Sequence, residues 1–181
     1  MPFLASPHFN ARPQTPIDLI VLHAISLPDG EFEHQHITDF FLGKLDTTKQ
    51  PSFEDLKDVR VSAHFVVARD GSITQFVSTY QRAWHAGKSS WQGRDNCNDY
   101  SIGIEIIGDE RQPFTHQQYT ETARLCRSLI DQYASLDKQR IVGHQDSAPT
   151  RKWDPGKQWH WSHFHRSLAH IKHLHTDITK T

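Results

Sequence analysis

Apolar and polar positions change period several times along the chain, and each change marks a predicted element. Residues 17–22 form an apolar run broken only by Asp18, which predicts a strand buried on both faces with His23 at its end. Ile37, Phe40, Phe41 and Leu45 fall at helical spacing within residues 34–45. Residues 47–58 are polar and read as a loop. Residues 59–77 read as two strands joined by a turn at 68–72. No period is visible across 83–99, which predicts a long loop of the kind that often carries function. Residues 100–107 alternate as a strand with Glu105 embedded in it. Thr115 and Gln118 form a capping-box pair ahead of a helix whose inner face carries Tyr119, Thr122, Ala123, Cys126, Leu129, Ile130 and Tyr133. A short strand over 140–143 ends at His144, a loop spans 148–158, and a last helix starts after Ser162 with Phe164, Leu168 and Ile171 facing inward. Residues 1–16, with Pro2, Pro7, Pro13 and Pro16, are expected to be an irregular lead-in. The remaining residues, 17–175, then form one α/β domain, a central mixed β-sheet flanked by α-helices.

Composition narrows the picture. With 181 residues, ten Phe and five Trp, the chain has the size and the aromatics for one packed core. Twenty basic residues against twenty-one acidic ones argue against nucleic acid as a partner, and no apolar run is long enough to span a membrane. The start of the sequence has neither a basic stretch nor a continuous apolar one, so the chain is expected to stay in the cytoplasm where it is made. Cys97 and Cys126 are expected to be reduced, one on a loop and one inside a helix. Histidine, at fourteen copies, is the outlier. His163, His170 and His173 fall on the polar face of the last helix and need no metal to explain them.

The candidate chemistry lies at the strand ends. His23 and His144 each close an apolar strand, where open α/β sheets gather their sites. Asp154, within Lys152-Trp153-Asp154-Pro155-Gly156, can swing back from its loop to join them. Two imidazoles, one carboxylate and a free fourth position describe a hydrolytic zinc site. The same residues also fit two hydrogen-bonded structural histidines. Glu105 is costly to bury without a reason, and Gly103, two residues earlier on the same face, leaves room for a ligand. An edge strand with Glu105 facing water is the alternative.

Five blocks make the pattern specific: residues 22–32 from Leu22-His23-Ala24, then Val61-Ser62-Ala63-His64-Phe65, then Arg82-Ala83-Trp84-His85-Ala86-Gly87, then residues 97–105, then Val142-Gly143-His144 through Lys152-Trp153-Asp154-Pro155-Gly156. In this order they resemble the zinc-dependent N-acetylmuramoyl-L-alanine amidases, in particular the cytoplasmic AmpD-type branch. The resemblance implies that His23, His144 and Asp154 bind zinc (Zn²⁺) and that Glu105 and Lys152 are catalytic beside it. It implies hydrolysis of the amide between the lactyl group of anhydro-N-acetylmuramic acid and L-alanine, during recycling of wall muropeptides. The partner implied is a small soluble muropeptide, and the chain itself is expected to be a monomer. His64 and His85 are candidates to orient a ligand, to contact the sugar or merely to pack, Trp84 to stack on substrate or to serve as a core aromatic, and Arg60 to meet substrate carboxylates or to lie solvated on the surface. The competing readings are an amidase acting on polymeric peptidoglycan, a non-catalytic peptidoglycan-binding module, and a protein with purely structural zinc.

Overall fold

The computed structural model describes residues 1–171. His173, and the expected domain end at residue 175, lie outside the described residues. Nine strands and four helices are found among those described: β1 Phe9–Ala11, β2 Leu19–Ile25, α1 His34–Phe41, β3 Phe65–Val67, β4 Ile73–Gln75, β5 Gln81–Ala83, β6 Ser90–Trp91, β7 Arg94–Asp95, β8 Ser101–Ile107, α2 His116–Gln132, β9 Ile141–Gly143, α3 His144–Ser147 and α4 Trp161–His170.

The central sheet has the order β4-β3-β8-β2-β9. Strands β3, β8, β2 and β9 run parallel and β4 is antiparallel at the edge, so the sheet is mixed. The apolar runs of β2 and β8 are long because both strands lie inside the sheet and are covered on both faces. On one face Ile20, Leu22, Phe65, Val67, Ile102, Ile104 and Ile106 pack under α2 and α4, with Tyr119, Cys126, Leu129, Phe164 and Leu168 supplying the helical side. On the other, α1 places Ile37, Phe40 and Phe41 against Val66, Phe76 and Ile107. Leu19 and Val21 of that second face sit under Ala86, Cys97 and Tyr100, so the long loop is part of the core rather than a flap over it.

The capping box of α2 forms as expected: Gln118 N–H donates to Thr115 Oγ1 at 3.1 Å, and Thr115 N–H to Gln118 Oε1 at 2.9 Å. His163, expected on a polar face, stacks on Tyr119 with centroids 4.3 Å apart.

Three segments depart from the sequence expectation, and one is 47–58, expected as a loop, where Pro51–Leu56 form a 3₁₀ helix. The lead-in is not irregular throughout, since Phe9–Ala11 forms β1 and pairs antiparallel with β5. Its next residue, Arg12, buries a guanidinium that donates to the carbonyls of Asn98, Asp99, Gln81 and Ser101 at 2.8–3.0 Å. The lead-in is thereby stitched to the 97–101 segment, a partnership across some ninety residues that no local pattern reports. The 83–99 stretch, expected to lack structure, contains the β6–β7 ribbon and a 3₁₀ turn at Cys97–Asp99.

Candidate metal centre

The site lies toward the carboxyl ends of β2, β8 and β9; β2 runs on to Ile25, so His23, expected at the strand's end, stands within it. β2 and β8 are in register with His23 opposite Glu105, and β2 and β9 with Leu22 opposite Gly143. Because neighbouring residues of parallel strands share a face, His23 and Glu105 project side by side. His144, one residue past Gly143, opens α3 at the same level. Asp154 returns from the following loop, anchored where Gln145 N–H donates to its carbonyl at 2.8 Å.

The three groups meet closely. His23 Nδ1 lies 3.0 Å from His144 Nδ1, and Asp154 Oδ2 lies 3.2 Å from each. All three residues are buried. Two backbone carbonyls settle which ring nitrogens carry protons. His144 Nε2 is 3.1 Å from the Ala86 carbonyl, which can only accept, so Nε2 holds the proton and a ring with one proton leaves Nδ1 bare; Arg151 Nη2, 3.4 Å from the same nitrogen, donates to that carbonyl at 2.7 Å. The Ser101 hydroxyl donates to the Cys97 carbonyl, so it accepts from His85 Nε2–H at 3.2 Å. His85 Nδ1 is then an acceptor and takes the Nε2–H of His23 at 2.9 Å, again leaving Nδ1 bare. Burial pushes the His23 imidazole down to about 4, against the pull of Asp154, so the neutral form prevails at neutral pH.

Two lone pairs and a carboxylate therefore face one another with no proton between them. A single cation placed among them would satisfy all three at once. Donors about 2.0–2.1 Å from a tetrahedral zinc stand roughly 3.3 Å apart, close to the separations here. Among the described residues this is the one group of three or more His, Cys, Asp or Glu side chains arranged to hold a metal ion.

Glu105 and Lys152 line the same cleft, about 310 Å³ in volume. Glu105 is half-buried as a whole, yet its Oε2 is shielded from solvent and has no hydrogen-bond partner. Burial first, and then the Asp154 carboxylate, raise the Glu105 carboxyl well above its usual range, with Lys152 opposing them. The opposite wall is apolar, built from Ile25, Phe40, Phe41, Leu56, Val59 and Val61. Trp153, 45% exposed, sits at the mouth.

The remaining candidate residues are scattered. His85 touches the site from behind, as the partner of His23. His64 is fully buried away from the cleft: its Nδ1 accepts Gly103 N–H at 3.0 Å and its Nε2 meets the Gln81 carbonyl at 3.1 Å. Trp84 lies outside the cleft lining and donates its indole N–H to Asn10 Oδ1 at 2.6 Å. Arg60 is exposed, its guanidinium donating to the carbonyls of Lys57 and Val59 at 2.9 and 3.1 Å. Gly103 corrects its expected role. A Cβ there would stand 2.3 Å from His85 Cγ, so the space it leaves is filled by His85 and not by a ligand. Sequence reasoning assigned nothing to Arg12, Asn98 or Ser101. The only signal available was polar residues set inside otherwise well-ordered blocks.

Comparison with known proteins agrees with this geometry. The profile described as N-acetylmuramoyl-L-alanine amidase (Amidase_2) matches residues 13–157. The 1,6-anhydro-N-acetylmuramyl-L-alanine amidase AmpD of Haemophilus influenzae is 46% identical over 166 residues, covering 91% of this chain and 90% of that one. A crystal structure of an AmpD selenomethionine derivative superposes with a TM-score of 0.89 at 42% identity, covering 92% of this chain and 93% of the other. The Escherichia coli amidase AmiD, solved with its substrate anhydro-N-acetylmuramic acid-L-Ala-D-γ-Glu-L-Lys, superposes at 0.61 with 28% identity over 87% of this chain and 58% of that one.

Proposed function

Because the chain belongs to the N-acetylmuramoyl-L-alanine amidase family, we propose that His23, His144 and Asp154 hold a zinc ion and that the cleft hydrolyses the lactyl–L-alanine amide of soluble anhydro-muropeptides. The observation that carries the reading is the convergence of two proton-free imidazole nitrogens and a carboxylate within 3.2 Å of one another. All three donors come from one chain, so a monomer suffices. The small cleft supports a soluble fragment over polymer, as do the relative named for the anhydro-muramyl amide and the substrate held by AmiD. A soluble fragment of that kind fits recycling in the cytoplasm, and among the described residues no helix is long and apolar enough to cross a membrane.

Amide hydrolysis needs a strong nucleophile, a place for the developing oxyanion and a proton for the leaving amine. Zinc bound at this site supplies Lewis acidity and, with it, an acidified water at neutral pH. Glu105, its carboxyl raised well above the usual range by burial, is the group in the cleft that would take a proton from an attacking water and return it to the departing L-alanine nitrogen. The Lys152 ammonium, at the edge of the same cleft, is the charge available to the oxyanion. The apolar wall of Phe40, Phe41, Leu56, Val59 and Val61 keeps bulk water from the reacting bond.

The test is mass spectrometry of products from anhydro-N-acetylmuramyl peptide incubated with the metal-stripped and the zinc-loaded chain, beside intact sacculi. Release of free peptide from the soluble substrate by the zinc-loaded chain alone supports the proposal. Preferential release from sacculi points to polymeric wall as the substrate, and release from neither leaves a binding module.

A further inference from the structure

Both metal-facing imidazoles take their orientation from two consecutive residues. His85 receives His23 Nε2–H on its ring, and Ala86 receives His144 Nε2–H on its carbonyl. Both residues lie outside regular secondary structure, so no sheet ladder holds their backbone. One atom does. Asn98 Oδ1 accepts the N–H of His85 at 3.1 Å and the N–H of Ala86 at 2.8 Å. Two donors on the same atom identify it as the amide oxygen.

Asn98 is itself buried and held. It is the middle residue of the Cys97–Asp99 turn, and its own carbonyl takes a bond from half-buried Arg12 at 3.0 Å. The same turn supplies the Cys97 carbonyl that orients Ser101 and, through it, the far nitrogen of His85. Asn98 does not line the cleft and touches none of the three metal donors.

We propose that Asn98 is the positioning residue of the metal centre: one side-chain oxygen sets the outer partners of both His23 and His144 and thereby fixes both rings with Nδ1 bare. This rests on the reading that the cluster binds a divalent ion. Outer partners of metal ligands matter because they fix the tautomer and angle of the ring, and losing one typically weakens metal binding 10–100-fold. Here one substitution loosens two ligands together. An aspartate at the position keeps an oxygen able to accept both N–H groups, whereas alanine leaves both unpaired.

The experiment uses the full chain, stripped of metal and titrated with zinc against a chromophoric chelator, as wild type, Asn98→Ala and Asn98→Asp. Long-range ¹H–¹⁵N spectra of the metal-free proteins report the imidazole tautomers. The expected result is that Asn98→Ala binds zinc about 10–100-fold more weakly than wild type while Asn98→Asp stays close to it. Wild-type His23 and His144 should both show the Nε2–H tautomer, with that order lost in Asn98→Ala. Unchanged zinc affinity in Asn98→Ala beside tight wild-type binding overturns this proposal alone. Failure of wild type to bind zinc overturns the metal reading beneath it. If Asn98→Ala does not fold, the wild-type spectra decide, because an Nδ1–H tautomer at either histidine contradicts the inferred chain of bonds.

Discussion

His23 and Glu105 occupy the same register position on adjacent parallel strands, β2 and β8, and leave the same face of the sheet. A metal donor and a buried carboxylate are thus juxtaposed by backbone pairing alone. A one-residue slip would send one of the two to the opposite face, into the core under α2 and α4. Position on the two innermost strands is what makes this pairing rigid enough for proton transfer.

Glu105→Gln keeps the shape of the side chain and removes its basicity. Turnover should fall by roughly 10²–10⁴-fold while the protein still binds one equivalent of zinc. Steady-state kinetics with elemental analysis of the same sample check this. Near-wild-type turnover would remove Glu105 from the mechanism.

Gly103→Ala places a methyl group 2.3 Å from His85 Cγ. Overpacking of this kind costs about 1–3 kcal/mol, and the strain falls on the ring that orients His23. Urea unfolding should show the loss of stability, and zinc titration a weaker site. A variant unchanged in both would mean that His85 has room to move.

His64 is pushed down to about 3, first by burial and then by the neighbouring Arg12 guanidinium. In the unfolded chain its pKa returns to about 6.5, so between these values the unfolded state binds a proton that the folded state does not. Its contribution to stability is therefore complete above about 6.5 and is lost as pH falls toward 3. Unfolding free energies measured from pH 4 to 6 should rise with pH. In His64→Asn the slope should be shallower by one proton, about 1.4 kcal/mol per pH unit. Parallel slopes for the two proteins would contradict the assignment.

Much of this was readable from the chain. The apolar runs leading to His23 and His144 announced two strands, though β2 continues past His23 to Ile25, and the Thr115–Gln118 pair announced α2, because these signals are local in sequence. The supporting contacts were not. Arg12 reaches the 97–101 segment, His64 binds Gly103, and Asn98 holds residues 85 and 86, each through partners set by the tertiary fold. Gly103 shows the limit best. Its missing side chain correctly signalled a close approach, yet nothing in the sequence distinguished a ligand from His85 as the group that approaches.

The sheet is packed on both faces by apolar side chains from its own strands and helices. Chelation should therefore abolish turnover while leaving the far-ultraviolet circular dichroism of the sheet and helices intact, and added zinc should restore activity. Unfolding on chelation would instead mark the metal as structural.

Everything catalytic here depends on three side chains sharing one ion. Anomalous scattering measured at the zinc edge from crystals of the zinc-loaded chain locates that ion directly. The account predicts one strong peak about 2.0–2.2 Å from His23 Nδ1, His144 Nδ1 and Asp154 Oδ2. An active, zinc-containing protein whose peak lies on other residues, or whose Asp154 stands outside coordinating distance, would contradict it.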